Sequence, residues 1–448
     1  MIDYTLLLAV FSGIAAILVL ILFFRIHAFL ALLIASILVG VIAGVEPLSI
    51  IKTMQNGMGG TLGFVAMVVG LGAIFGAILE QSGGAEALAK FLLSKFGEQR
   101  ASWAMMITGF VVAIPVFFDV AFIILIPMVY ALQRKTKKSL LLYALPLLTG
   151  LAITHAFIPP TPGPVAVADI LGANLGWVIM MGFLAGIPAA IVGGPIFAKY
   201  IAKKIPLDAP KEVSNEKAEA TFPPVGMIIT IILVPILLIV ANTLLNSSLV
   251  GDGSISEDVK SWIEMIGHPF SALIIANLLA WYFLGIKRGL TKETLLKISG
   301  KSMEPAGIII LLTGAGGVFK QMLVDTGAGE MLANYVAASG LPVIFFAFIA
   351  AALVRVLQGS STVAMITAAG LISPLLGSGA AEIDKALIVI AIACGASTLS
   401  HVNDSGFWLV SNYLGMTEKQ TFRSWTMMTL IISFVGFAAV LLLSVIFS

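Results

Sequence analysis

Ser400-His401-Val402-Asn403-Asp404-Ser405-Gly406-Phe407 is a polar octet set between the apolar run Ala386–Leu399 and the apolar Phe407–Val410. A carboxylate and an imidazole at such a depth in hydrocarbon are costly, so by default they mark a substrate or ion site. The octet also interrupts the span that carries it, and lipid cannot satisfy the backbone groups that an interruption frees. It predicts a broken membrane helix, buried in protein or facing a cavity.

Composition agrees. Of the 448 residues, 59% are hydrophobic and 11% charged, with a mean hydropathy of +1.08, more apolar surface than a water-soluble fold can carry. The chain reads as an all-α polytopic membrane protein, with the lipid bilayer as its first partner. A formal charge of +2 gives no support to nucleic-acid binding. The single cysteine, Cys394, rules out an intrachain disulfide and a cysteine-based metal cage. No Walker loop or His-Glu-x-x-His helix is present, so no cofactor, metal or enzyme activity is expected. The first apolar run, Tyr4–Phe24, lacks a basic leader and reads as a retained span.

In chain order, spans are predicted at Thr5–Phe24, Phe29–Gly44 and Leu62–Leu79, followed by an amphipathic stretch, Ala85–Phe96, lying in the interface. Ala101–Leu132 is interrupted at Pro115–Asp119, which leaves two arms the length of a re-entrant hairpin. The next span starts near Leu140 and breaks at Pro159-Pro160-Thr161-Pro162-Gly163-Pro164; Trp177–Tyr200 completes the set. After a polar linker, residues 203–224, the pattern returns. His27-Ala28-Phe29 aligns with His268-Pro269-Phe270, Ser82–Ala89 with Thr326–Ala333, Asp119–Ile123 with Thr362–Ile366, and Leu171-Gly172 with Leu414-Gly415, each about 243 positions apart. The chain therefore divides into repeats at 1–202 and 225–448, each with five spans and one hairpin. An odd number of spans turns the second repeat upside down. Lysine and arginine counts give an independent check: with both termini outside, most basic residues fall inside, including Arg134, Lys135, Lys137 and Lys138. The expectation is an inverted repeat with broken helices at its site.

Such folds bind near the midplane, where half-helix amino termini point at an anion. Four interruptions are expected to converge: the hairpin tips Val116–Asp119 and Gln358–Thr362, and the breaks Pro159–Pro164 and Val402–Gly406. Candidate substrate ligands are Thr161, Gly163, Gly359, Ser360, Ser361, Thr362, Asn403, Ser405 and Gly406, whose small hydroxyls, amide and backbone N–H groups reach a carboxylate or hydroxyl. Candidate proton carriers are Asp119, His155, His401 and Asp404. Each has a structural reading beside the functional one: a helix cap for either aspartate, a ring holding a freed carbonyl for either histidine. His27 and His268 start spans and read as structural. Arg355 either holds a substrate carboxylate bidentately or snorkels outward.

At Thr154–Pro164, Gly359–Ala364 and Ser400–Trp408 the chain resembles the gluconate permease family, also called gluconate:proton symporters, and the resemblance runs essentially end to end. It implies a bacterial cytoplasmic-membrane carrier that imports gluconate or a related small hydroxy acid with protons, by elevator-type movement and as a homodimer. Family relatives that carry glycerate, 3-hydroxybutyrate or D-serine, and a sodium-coupled organic-anion carrier of the same architecture, are the alternatives. The gluconate-transporting branch is expected to carry Glu where this chain has Asp119 and His where it has Thr161.

Overall fold

The apolar runs form helices whose lengths and breaks divide them into spans, hairpins and half-helices. The computed structural model describes residues 4–210, 222–246, 257–328, 342–376 and 380–447, and every regular element among them is helical. The first half contains α1 (Tyr4–Leu22), α2 (Ala28–Ile42), α3 (Pro47–Gln81), α4 (Gly84–Phe96), α5 (Ala101–Val112) and α6 (Phe118–Thr136). It continues with α7 (Leu141–Phe157), α8 (Pro162–Leu171) and α9 (Leu175–Lys204). The second half contains α10 (Val225–Leu245), α11 (Glu257–Gly267), α12 (Pro269–Arg288), α13 (Lys292–Asp325) and α14 (Val343–Gln358). It ends with α15 (Ser361–Ile372), α16 (Glu382–Ala396), α17 (Ser405–Leu414) and α18 (Glu418–Phe447). With α7 and α8 taken as one broken span, eight of the described helices are long and apolar enough to cross a bilayer. The chain is an all-α, multi-pass membrane protein.

Positions aligned between the two parts of the sequence share local features. His27 and His268 each cap the helix that follows, Nδ1 accepting from the N–H of Phe29 and of Phe270 at 3.3 Å. Gly172 and Gly415 close α8 and α17 in the same left-handed conformation, φ 64° in both. The α5–α6 hairpin packs on the broken α7, and the α14–α15 hairpin on α16. Two glycines permit these crossings: a Cβ at Gly150 would run into the Phe110 N–H and the Met106 carbonyl, and one at Gly395 into the Phe348 carbonyl. The counterpart of α4, aligned at Gly329–Ala333, lies outside the described residues, as do residues 211–221 of the linker and 252–256 of the acidic loop.

Two spans differ from their sequence-predicted bounds. The third begins at Pro47 rather than Leu62. Thr53, Gly57 and Thr61, four residues apart, bury against α13, while Lys52, Gln55 and Asn56 face outward, so the polar residues that suggest a loop occupy one side of a helix. At 35 and 34 residues, α3 and α13 are each about 50 Å long and pack antiparallel. Thr53 Oγ1 donates to Asp325 at 2.6 Å near one end, and Gly70 lies on Met303 farther along. The second arm of the first hairpin, α6, has 19 residues rather than about a dozen and runs into the basic cluster. There Gln133 Nε2 donates to Asp208 at 2.7 Å and Ser139 to the Ile205 carbonyl at 2.8 Å, docking the start of the linker.

Candidate functional site

The second tip forms where α14 stops and α15 starts. Gly359 takes φ 89°, and a Cβ there would overlap the Asn403 carbonyl, so glycine lets the tip press onto the octet. Ser360 caps α15 by accepting from the Val363 N–H at 3.3 Å, and its own N–H donates to Gln358 Oε1 at 2.9 Å. The octet in turn holds the end of α14. Asn403 Nδ2 donates to the Val356 carbonyl at 2.9 Å, and His401 Nε2 lies 2.9 Å from that same oxygen.

Asp404 is the hub. One oxygen caps α17 by accepting from the Gly406 N–H at 2.9 Å. The other accepts from the Ser400 hydroxyl and from Arg355, 2.5 Å away. Arg355 also donates to the Gly359 carbonyl, so one guanidinium ties the hairpin tip to the octet. The Trp425 indole N–H donates to Ser400 Oγ at 2.6 Å, and Thr426 Oγ1 to the Ser400 carbonyl at 2.5 Å, fastening the octet to α18. Arg355 does not snorkel: its side chain is 6% exposed and that of Asp404 12%. A charge so deep is tolerated because it is paired and hydrogen-bonded.

These groups surround a cavity of about 560 Å³. The first tip enters it through Phe117, Phe118, Asp119 and Val120, and the second through Gln358–Thr362. Asp119 sits in the first turn of α6; Phe117 holds the cap position there, without a side-chain cap, and Asp119 makes no side-chain hydrogen bond among the described residues. His155 lines the cavity from α7 with Nδ1 buried and without a partner. The hydroxyls of Ser361, Thr362 and Ser405 are likewise unengaged among the described residues. Three helices, α6, α15 and α17, begin at this cavity, and each amino terminus carries roughly half a positive charge.

Three of the four expected interruptions thus meet, and the first break does not. Thr161 is buried, its hydroxyl donating to the Ile158 carbonyl at 2.6 Å, and it lines a small space beside Gly72 and Pro115. Gly163 faces the Met365 side chain. The prolines around them close this break by packing instead of opening it to the cavity. His401 is also outside the lining, turned to the Val356 carbonyl. Sequence reasoning missed Trp425 and Thr429, which line the cavity from α18. The available signal was the polar run Thr421–Thr426 at the start of an otherwise apolar span, where the helix opens into a π turn over Phe422–Thr426.

The family model described as GntP family permease matches residues 4–446. The chain is 40% identical over 441 residues to the low-affinity gluconate transporter of Escherichia coli K12, covering 97% of each chain. It is 37% identical to the gluconate permease of Pseudomonas aeruginosa, covering 99% of this chain and 98% of that one. The Escherichia coli L-idonate transporter of the Gnt-II system is 35% identical, with 97% and 98% covered. Among solved structures, the YdaH transporter of Alcanivorax borkumensis superposes with a TM-score of 0.63 at 15% identity over 88% of both chains, a likeness of fold.

Proposed function

The chain belongs to the GntP family of permeases, and from that premise we propose that it is a secondary carrier importing gluconate or a related small hydroxy acid with protons across the bacterial cytoplasmic membrane. One observation carries the reading: a single cavity joins three helix amino termini, unengaged hydroxyls, an uncapped carboxyl at Asp119, and a carboxylate at Asp404 already neutralised by Arg355.

The chemistry follows from charge. A sugar-acid carboxylate is drawn to the amino termini of α15 and α17, where the Ser361 and Thr362 hydroxyls and backbone N–H groups are its donors. Its hydroxyls pair with Ser360, Gln358 and Ser405. Asp404 stays committed to Arg355 and positions the tip, which leaves Asp119 and His155 as the groups free to carry the coupled proton. An ionised Asp119 facing the same cavity repels a bound carboxylate, by about 3 kcal/mol for two unit charges placed roughly 6 Å apart at an effective dielectric near 20. A protonated Asp119 removes that barrier. Substrate and proton therefore enter together, and losing the proton on the far side expels the anion.

The antiparallel packing of the repeat-related α3 and α13 supports an inverted repeat, because equivalents related by an in-plane axis run in opposite directions. In that arrangement both termini lie outside. The long helices form a scaffold, present as a homodimer, past which the hairpins and broken helices move. Uptake of radiolabelled gluconate into proteoliposomes tests the reading. Accumulation driven by an inward proton gradient is expected; accumulation that follows only a sodium gradient, or none at all, refutes it.

A further inference from the structure

We infer that the basic end of α9 is a binding site for an anionic phospholipid, separate from the transport cavity. Lys199, Tyr200 and Lys203, with Trp103 of α5, line a surface concavity of about 510 Å³. Both lysines are exposed, and neither makes an ion pair or hydrogen bond among the described residues. The neighbouring Lys204 differs: its ammonium is held over the Tyr200 ring at 4.3 Å. Two uncommitted ammonium groups beside an indole and a phenol suit the headgroup region of a bilayer, where basic pockets between helices bind anionic lipid.

The concavity does not end at the lysines. It shares Ile196 and Tyr200 with a furrow of about 610 Å³ between α9 and α18, lined by Val192, Phe197, Leu430 and Phe434 and free of charged side chains. At this level α9 opens into a π turn at Val192–Ile196, and Gly193 packs closely on the Ile432 side chain. A cationic head joined to an apolar trough is complementary to a phosphate ester carrying acyl chains, and the two lysines favour a headgroup of net negative charge. A phosphate ion fits only the first half of the site, and a second protein copy only the second.

The test uses the full chain, purified and delipidated in detergent, titrated with phosphatidylglycerol, with phosphatidylcholine, and with inorganic phosphate. Melting temperature and native mass spectrometry are the readouts. Phosphatidylglycerol is expected to stay bound and to bind at least tenfold more tightly than phosphatidylcholine. Each lysine contributes about fivefold to binding anionic lipid. K199Q/K203Q should therefore lose the preference while melting like the wild type in phosphatidylcholine, and K199R/K203R should keep it. Unchanged selectivity in K199Q/K203Q overturns the proposal. So does protection by phosphate equal to that by phosphatidylglycerol, or lipid-insensitive crosslinking of two copies of the F434C variant.

Discussion

Replacing Arg355 with methionine keeps an unbranched apolar stem, ends it short of the guanidinium, and removes the charge that Asp404 depends on. Asp404 would retain only the Ser400 hydroxyl and the Gly406 N–H, at a position where its side chain is 12% exposed. Stranding one member of a buried ion pair costs about 3–5 kcal/mol. Unfolding entropy near 2 cal/mol/K per residue, over 448 residues, converts this to a melting-temperature drop of about 3–5 °C. Removing the second charge should reverse most of the loss. In the double variant Arg355→Met with Asp404→Asn, the amide still accepts from Gly406 and no ion is left alone. The double variant is therefore expected to melt within about 2 °C of the wild type. Both variants should transport poorly, because the tip loses the guanidinium that ties Gly359 to Asp404. Differential scanning fluorimetry of the two purified proteins, with uptake measured in parallel, separates the terms. A single variant melting within 1 °C of the wild type, or a double variant melting as low as the single, would refute this account of the pair.

Asp119→Asn should uncouple uptake from pH: counterflow exchange of gluconate persists, while accumulation on an imposed proton gradient disappears. Undiminished accumulation would exclude Asp119 as the essential proton site. Gly359→Ala forces a left-handed φ of 89° on a residue whose Cβ meets the Asn403 carbonyl; a loss of about 1–3 kcal/mol in stability and at least tenfold in maximal uptake is expected. Wild-type kinetics in that variant would show that the tip and the octet separate freely. Trp425→Phe keeps the ring contact with Phe118, 5.7 Å between centroids, but removes the donor to Ser400. It should cost about 1 kcal/mol in stability and shift KM severalfold, and an unchanged KM would remove Trp425 from the site.

Much of the architecture is legible in the amino-acid order because hydrocarbon is an exacting solvent. Twenty apolar residues, a proline cluster or a polar octet each have few ways to satisfy their backbone in lipid. The spans, the interruptions of the two hairpins and the break at Ser400–Phe407 follow from that constraint; that His27 and His268 cap the helices they precede shows only in the structure's hydrogen bonds. The near-constant separation of the interruptions is likewise legible in the amino-acid order, and it is what motivates the proposed repeat. Local polarity misleads where a helix hides it on one face, as at Lys52–Asn56 of α3.

The sequence by itself determined which segments are broken and which small polar residues sit at the breaks. Tertiary structure decided which breaks share a cavity. Thr161 and Gly163 carry the same sequence signal as Ser405 and Gly406, yet packing turns the first pair into the bundle and the second onto the cavity. Partnership was likewise beyond the reach of spacing. Arg355 and Asp404 are 49 positions apart on different elements, and Trp425 comes from a third. Whether a buried charge is stranded or satisfied depends on what lies within about 3 Å in space. Hydropathy is a property of a segment, so it locates the octet, but only the fold supplies the octet's counter-ion.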